Sequence, residues 1–254
     1  MRSKVIEQVA AVNPHTVVVI ESGGPIAVPW ARHVPAVIAA FYPGIGGGPA
    51  IAGVLFGRVN PSGHLPVTFP KSIDQLPRPD QRDPATTTSN PNQERIGEIF
   101  AVDYDIEGSD VGYRWFAREG LVPDFPFGWG LSYTSFAISC LTATAKGTGI
   151  RVSCVVTNTG DRAGSAVPQV YASRSTGDSA DFVPRLAAFA RVHLDAAESR
   201  AVELDLDPRL LARWEENESA FRIAGGTYEV RISAHASDEE GPVCTIPLKS
   251  AFLP

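Results

Sequence analysis

From Phe136 onward the chain alternates apolar and polar side chains with period two, a period that admits strands and excludes helices. Phe136, Ile138 and Cys140 alternate with Ala137, Ser139 and Leu141, and Val152, Cys154 and Val156 alternate with Arg151, Ser153 and Val155. Lys146-Gly147-Thr148 lies midway, so a hairpin folded about Gly147 sets Cys140 opposite Cys154 on the inward face. Two buried thiols are expected there rather than a disulfide, because free Cys behaves as a small hydrophobe. Further strands are expected at 167–172, 187–194, 200–206, 227–234 and 243–248, the spacing of a β-sandwich. Asp207 and Pro208 supply an N-cap and a first helical position for a turn or two running to Trp214.

The first 70 residues read differently. Val5, Val9 and Val12 form one stripe of a short helix, which Asn13-Pro14 stops because the residue before proline is pushed out of the helical well. The β-branched run 16–20 is the pattern of a strand buried on both faces, as in a parallel sheet, and Ser22-Gly23-Gly24-Pro25 ends it. A second apolar run spans 36–41. Gly46-Gly47-Gly48-Pro49 opens a helix over 50–56 that Gly57 ends, and 65–69 reads as an edge strand bounded by Pro66 and Pro70. Residues 71–101 interleave Pro77, Pro79, Pro84 and Pro91 with polar side chains and have almost no apolar periodicity, which predicts a long exposed connection. The fold class expected is therefore α/β, a partial open and mainly parallel sheet, followed by an all-β sandwich.

Composition narrows the function classes. With 23 glycines and 21 prolines in 254 residues, turns and short elements are favoured over a helical bundle. The net charge of −6 comes without a basic stripe, which argues against a nucleic-acid partner. Glu7 and Gln8 interrupt the only early apolar run, and nothing later approaches a membrane span. The expectation is a soluble chain with no membrane partner and no export signal of its own, cytoplasmic unless a longer precursor exists. Three cysteines, Cys140, Cys154 and Cys244, lack any C-x-x-C spacing.

No cofactor or metal is expected. Pro49 occupies a glycine position of the dinucleotide fingerprint, and no phosphate-loop Lys follows. Asp103, Asp105, Glu107 and Gly108 imitate a calcium loop whose twelfth position is Arg114, so a solvated acidic turn paired with Arg114 or Arg118 is expected instead. Neither Ser22 nor Ser62 sits in a nucleophile elbow, and His15, His33, His64, His193 and His235 are scattered. Paired carboxylates remain, since a glycosidase needs two of them around a sugar. Glu21, at the carboxyl end of a strand, and Glu107 are the weak catalytic candidates. Trp30, Trp115 and Trp129 lie in apolar clusters and are expected to pack a core rather than stack on sugars.

Ordered motifs carry a family resemblance. Val9-Ala10-Ala11-Val12-Asn13-Pro14, Thr16-Val17-Val18-Val19, Ser22-Gly23-Gly24-Pro25, Pro29-Trp30, Tyr42-Pro43-Gly44, Val54-Leu55-Phe56-Gly57, Asn60-Pro61-Ser62-Gly63 and Leu65-Pro66-Val67-Thr68-Phe69-Pro70 resemble family-3 glycoside hydrolases of the β-glucosidase type. So do the run from Glu107 to Phe116, the run from Phe125 to Tyr133, and Gly226-Thr227-Tyr228-Glu229-Val230. The resemblance covers nearly the whole chain. It implies a catalytic (β/α)8 barrel, an α/β sandwich domain and a fibronectin type III-like domain, here over 1–70 (partial sandwich), 71–130 (linker and connecting segment) and 131–254 (fibronectin-like).

In that family the nucleophilic Asp belongs to the barrel, and the acid/base Glu precedes the helix with which this sequence opens. Neither motif appears in these residues, and a barrel alone takes about 250 residues. The resemblance thus implies the C-terminal part of a retaining enzyme that cleaves β-linked glucose or xylose, inactive without its barrel. The substrate would be a β-glucoside or β-xyloside in the context of a full enzyme only. The other readings are a non-catalytic remnant and a carbohydrate-binding or adhesion module. Partners expected are a catalytic barrel, or a second copy through an exposed sheet edge. Ile45-Gly46, Gly53 and Trp129 depart from the family's residues, and Glu21 is not where the family places its acid.

Overall fold

The computed structural model describes residues 2–79, 103, 105–175 and 183–253; residues 80–102, Tyr104 and residues 176–182 lie outside it, and with them most of the Pro-rich 71–101 connection and part of the acidic turn. The chain opens with α1 (Arg2–Val12), β1 (Val17–Ile20), β2 (Ala36–Ala39) and α2 (Gly47–Leu55). β1 and β2 pair in parallel, Val17 with Ala36 through Ile20 with Ala39. Ile20, Val28, Trp30, Val34 and Phe69 form a small core, against which Ile6, Ala10, Phe41 and Phe125 pack.

Three expectations for this part are corrected. In α1 it is Ile6 and Ala10, four residues apart, that face the core, while the Val5, Val9 and Val12 stripe points to solvent. The helix carries two apolar rows, and the core takes the other one. In β1 only Ile20 is buried and Val17 is exposed, so burial on both faces does not hold: among the described residues β1 has a neighbour, β2, on one side only. The 65–69 segment also forms no strand. Leu65 and Phe69 donate their amides to the carbonyls of Trp129 and Phe125, each at 2.8 Å, leaving one isolated antiparallel bridge between Phe69 and Phe125. Pro66 and Pro70 have no N–H to extend it into a ladder.

After α3 (Tyr113–Arg118) the chain is all strand: β3 (Phe136–Lys146), β4 (Gly149–Asn158), β5 (Gly164–Ala166), β6 (Gln169–Arg174), β7 (Arg185–Phe189), β8 (Val192–Leu194), β9 (Ser199–Asp205), β10 (Arg213–Glu215), β11 (Ala220–Ile223), β12 (Gly226–Ser233), β13 (Val243–Leu248) and β14 (Ala251–Leu253). The sheets run β13-β12-β6-β7, β3-β4-β9, β10-β11-β14 and β5-β8. They enclose a second, larger core that includes Ile150, Val152, Val156, Val170, Leu194, Val230 and Ile232. Fully burying a side chain of this size contributes about 1.5–3 kcal/mol. The predicted 167–172 strand corresponds to β6, which starts only at Gln169, after Pro168; β5 precedes it, and the predicted 187–194 strand divides into β7 and β8, which belong to different sheets. Asp207 caps as expected, accepting the Arg209 amide at 2.9 Å, although the turn it starts is 3-10.

The hairpin holds one further correction. Gly147, at φ +58°, closes a tight loop that pairs Lys146 with Gly149, one residue off the register centred on Gly147. A β-bulge restores it: pairing passes from Thr142–Ser153 directly to Ser139–Val155, so Cys140 and Leu141 together oppose Cys154. Cys140 takes φ 55° and points to solvent, and Leu141 packs on the core in its place. Cys154 is buried opposite Val202 of β9, so the two thiols are not neighbours on one inward face. Among the described residues no helix is long and apolar enough to cross a membrane.

Candidate functional site

The parallel pair presents its carboxyl edge as the first place to look for chemistry, because ligands of open α/β sheets gather there. Glu21 follows Ile20 directly and is exposed. Ser22 donates its hydroxyl to the Gly24 carbonyl at 2.7 Å, closing the turn. After β2, Phe41 adopts φ 51°, an uncommon conformation for a bulky residue, and this swings Tyr42 across Gly23, where a Cβ would collide with the Tyr42 hydroxyl. Gly47 packs with equal closeness on Pro43, whose Cβ would lie 2.6 Å from an added Cβ. Gly23 and Gly47 are thus required for close packing, whereas Gly46 and Gly48 have open space where a Cβ would stand, so the glycine run as a whole does not serve that purpose. Beyond them Tyr42, Ile45 and Phe56 stand almost wholly in solvent, a run of large apolar side chains at one end of this core.

Glu107 is placed elsewhere and is held differently. It is 4% exposed, and its two carboxylate oxygens take both terminal nitrogens of Arg78 in a forked pair. The Arg78 hydrogen bonds hold its carboxyl below the usual glutamate range, outweighing burial, which pushes the other way. An ionised carboxylate occupied on both oxygens has no proton to donate at neutral pH, whereas a general acid needs a raised value. No hydrogen bond or ion pair joins Glu107 to Glu21 among the described residues.

The acidic turn around Glu107 is tied down by arginines. Asp103 accepts the Asp105 amide at 2.9 Å and gives its carbonyl to Arg78 at 2.8 Å. Arg118 donates to the carbonyls of Ile106 and Glu107 at 2.8 and 3.0 Å and lies 4.9 Å over the Trp115 ring, while Asp110 pairs with Arg114 and Arg118. The expected arginines are therefore present, but they reach Asp110 and the turn's carbonyls; the partner of Glu107 is Arg78, 29 residues earlier and outside the motif. Among the described residues no three of His, Cys, Asp or Glu gather as a metal site would require.

A third polar constellation joins the two cores. Asn60 accepts the Tyr133 amide at 2.8 Å and the Ser132 hydroxyl at 3.0 Å, and donates to the Ala163 carbonyl at 3.0 Å. The Asn-Pro-Ser-Gly and Leu-Ser-Tyr motifs, some 70 residues apart, thus meet in space, and Tyr133 donates its hydroxyl to Val54 at the end of α2. Gln169, 3% exposed on β6, donates to the carbonyls of Gly128 at 2.9 Å and Ala234 at 2.7 Å and accepts the Tyr171 hydroxyl at 2.8 Å. Gly128 has φ +81°, and a Cβ there would run into the Gln169 amide. His64 meets the Gly128 carbonyl at 2.6 Å, and Trp129 packs on His235 with centroids 4.9 Å apart. Burial holds the His235 imidazole below its ordinary range, with His64 adding to the effect and Asp238 opposing it. Trp30 is buried in the small core, as expected, while Trp115 donates to the Gln75 carbonyl at 2.9 Å. Nothing in the local sequence pattern marks Gln169; the carbonyls it donates to lie about 40 and 65 residues away.

Comparison with known proteins places this arrangement. Residues 1–133 match the glycosyl hydrolase family 3 C-terminal domain, and residues 166–236 match a fibronectin type III-like domain. A β-glucosidase of Rhizobium radiobacter is 39% identical over 240 residues, which are 93% of this chain and 28% of that enzyme. An exo-α-(1→6)-L-arabinopyranosidase of Bifidobacterium longum is 35% identical over 235 residues, 92% of this chain and 29% of that one. Among solved structures, the family-3 β-glucosidase of Bifidobacterium adolescentis superposes with a TM-score of 0.83 at 33% identity, covering 98% of this chain and 35% of that one. The β-glucosidase of Kluyveromyces marxianus in complex with glucose gives a TM-score of 0.86 at 31% identity, covering 99% and 29%. The chain thus spans less than a third of the length of the curated relatives it matches.

Proposed function

The chain belongs to glycosyl hydrolase family 3, and from that membership we propose that its residues supply the C-terminal part of a retaining β-glucosidase-type hydrolase acting on terminal β-D-glucosyl or β-xylosyl residues. The observation that carries this reading is coverage: 93% of the chain aligns with 28% of a much longer β-glucosidase. A retaining glycosidase needs a nucleophile and an acid/base about 5–5.5 Å apart. On this reading both belong to the remaining length, and neither Glu21 nor Glu107 is one of them. Glu21 closes a strand, and Glu107 anchors the connecting segment through Arg78.

The finer architecture goes with the same proposal. Residues 1–70 are part of an open, mainly parallel α/β sheet, 71–130 an extended connection, and 131–254 the fibronectin type III-like sandwich. The edge of β1 that has no pair among the described residues and the exposed Tyr42, Ile45 and Phe56 are then surfaces covered by the catalytic barrel and the rest of the sheet, with a second copy of the chain as the competing occupant.

The test is a chimera. Replacing the matching region of the Rhizobium radiobacter enzyme with this chain is expected to retain hydrolysis of a chromogenic β-glucoside within about tenfold, 1.4 kcal/mol of barrier. A folded chimera without hydrolysis would overturn the proposal.

A further inference from the structure

Of the four tryptophans, three are committed to the interior or to named partners, and Trp214 is not. It is 53% exposed, at the middle of the edge strand β10. Directly across the ladder on β11 stands Phe221, 46% exposed, with ring centroids 5.1 Å apart and planes at 71°. In an edge-to-face pair at least one ring face is not covered by the other ring, and both side chains are about half exposed. Strand pairing fixes both rings, and the turn joining the two strands is tight: the Ser219 amide bonds the Glu216 carbonyl at 3.2 Å with Ser219 at φ 47°. The turn that joins the two strands carries Glu216, Asn217 and Glu218, all exposed and making no side-chain hydrogen bond or ion pair among the described residues.

We infer that Trp214 and Phe221 form a stacking platform for a pyranose ring of a neutral glycan, with the Glu216–Glu218 turn supplying acceptors and an amide for the ring's hydroxyls. A pyranose has an apolar C–H face that suits the negative face of an aromatic ring, and an equatorial rim of hydroxyls that needs hydrogen-bond partners beside it. The rim carries two carboxylates, which disfavours nucleic acid, an anionic membrane surface and uronic-acid polymers alike. Two aromatic side chains also fall well short of the roughly 1,200 Å² that a stable protein interface buries. The choice of a β-linked glucan as ligand rests on the function proposed above; the platform itself lies within the fibronectin type III-like match and involves no catalytic group.

The experiment titrates the intact 254-residue chain with cellohexaose, followed by tryptophan fluorescence and calorimetry. Saturable binding at one site is expected, unchanged between low salt and about 0.5 M salt because the ligand is neutral. Trp214→Ala should weaken it at least about tenfold, and Trp214→Phe, which keeps a ring, should hold it within about threefold. Both side chains are half in solvent, so both variants should keep the parent's melting temperature within a few degrees. No saturation up to roughly 10 mM, or equal affinity in a folded Trp214→Ala variant, would overturn the proposal. So would sedimentation showing that Trp214 is covered by a second copy. Loss of binding with an active chimera defeats this inference alone, whereas an inactive chimera with binding intact defeats the function proposed above.

Discussion

Strands β1 and β4 are built from much the same residues and end in opposite circumstances. β4 lies between β3 and β9, and every second residue of it, including Val152, Cys154 and Val156, is buried. β1, Val17-Val18-Val19-Ile20, has one described neighbour and buries Ile20 alone. A continuous β-branched run is the mark of a strand covered on both faces, and here the cover is incomplete. The sandwich closes its core with its own strands, whereas the α/β part offers apolar surface, on β1, on the outer row of α1 and at Tyr42, Ile45 and Phe56, that these residues do not cover. The contrast separates a unit that encloses its own core from one that leaves apolar surface exposed among the described residues.

The strongest way to break this contrast is to open the sandwich. Leu194→Ala, at a fully buried site, should cost about 2–5 kcal/mol in urea unfolding. A loss under 1 kcal/mol would mean that the larger core is not what holds the second half together. Next comes the joint between the halves. Gly128→Ala puts a Cβ into left-handed backbone and against the Gln169 amide, and should cost about 1–2 kcal/mol from the backbone conformation alone. Unchanged melting would show that Gln169 is not clamped there.

A smaller effect tests the same joint through pH. His235 binds a proton less readily in the folded chain than when unfolded, so the unfolded state gains protons first as pH falls. Stability should be level above about pH 7, fall as pH drops through roughly 6.5, and level off again below the folded value. His235→Phe should remove that slope from the urea midpoint, and a slope of opposite sign would contradict a neutral, half-buried imidazole. The smallest effect is expected on the exposed surface of the α/β part: Val5→Ser with Val9→Ser, on the outer row of α1, should change stability by less than about 0.5 kcal/mol. A large loss there would show that α1 packs its valine row inward.

Much of the fold is legible in the residues, and the exceptions have physical causes. Period two located β3, β4, β6, β9, β12 and β13 because each is long enough to repeat. β5, β10, β11 and β14 have three or four residues, too few to show a period, and were missed. The bulge at Cys140 follows from a one-residue mismatch between a tight loop and the pairing beyond it, which alternation alone does not record. In α1 both apolar rows satisfy the helical spacing, and only packing chose Ile6 and Ala10. The same limit governs the polar sites. Glu107 is visible in the sequence as a carboxylate candidate, yet its partner Arg78 and the Gln169 joint depend on contacts between segments far apart in the chain. Asn60 and Tyr133 stood in recognised motifs, and the structure gives those motifs a shared task in joining the two cores.

The proposed function requires that these 254 residues supply neither catalytic carboxylate of a glycosidase. The most direct measurement is hydrolysis of a chromogenic β-glucoside and β-xyloside by the purified chain alone, beside Glu21→Gln and Glu107→Gln. The account predicts no turnover above buffer in all three. Turnover by the parent chain that either substitution abolishes would contradict it.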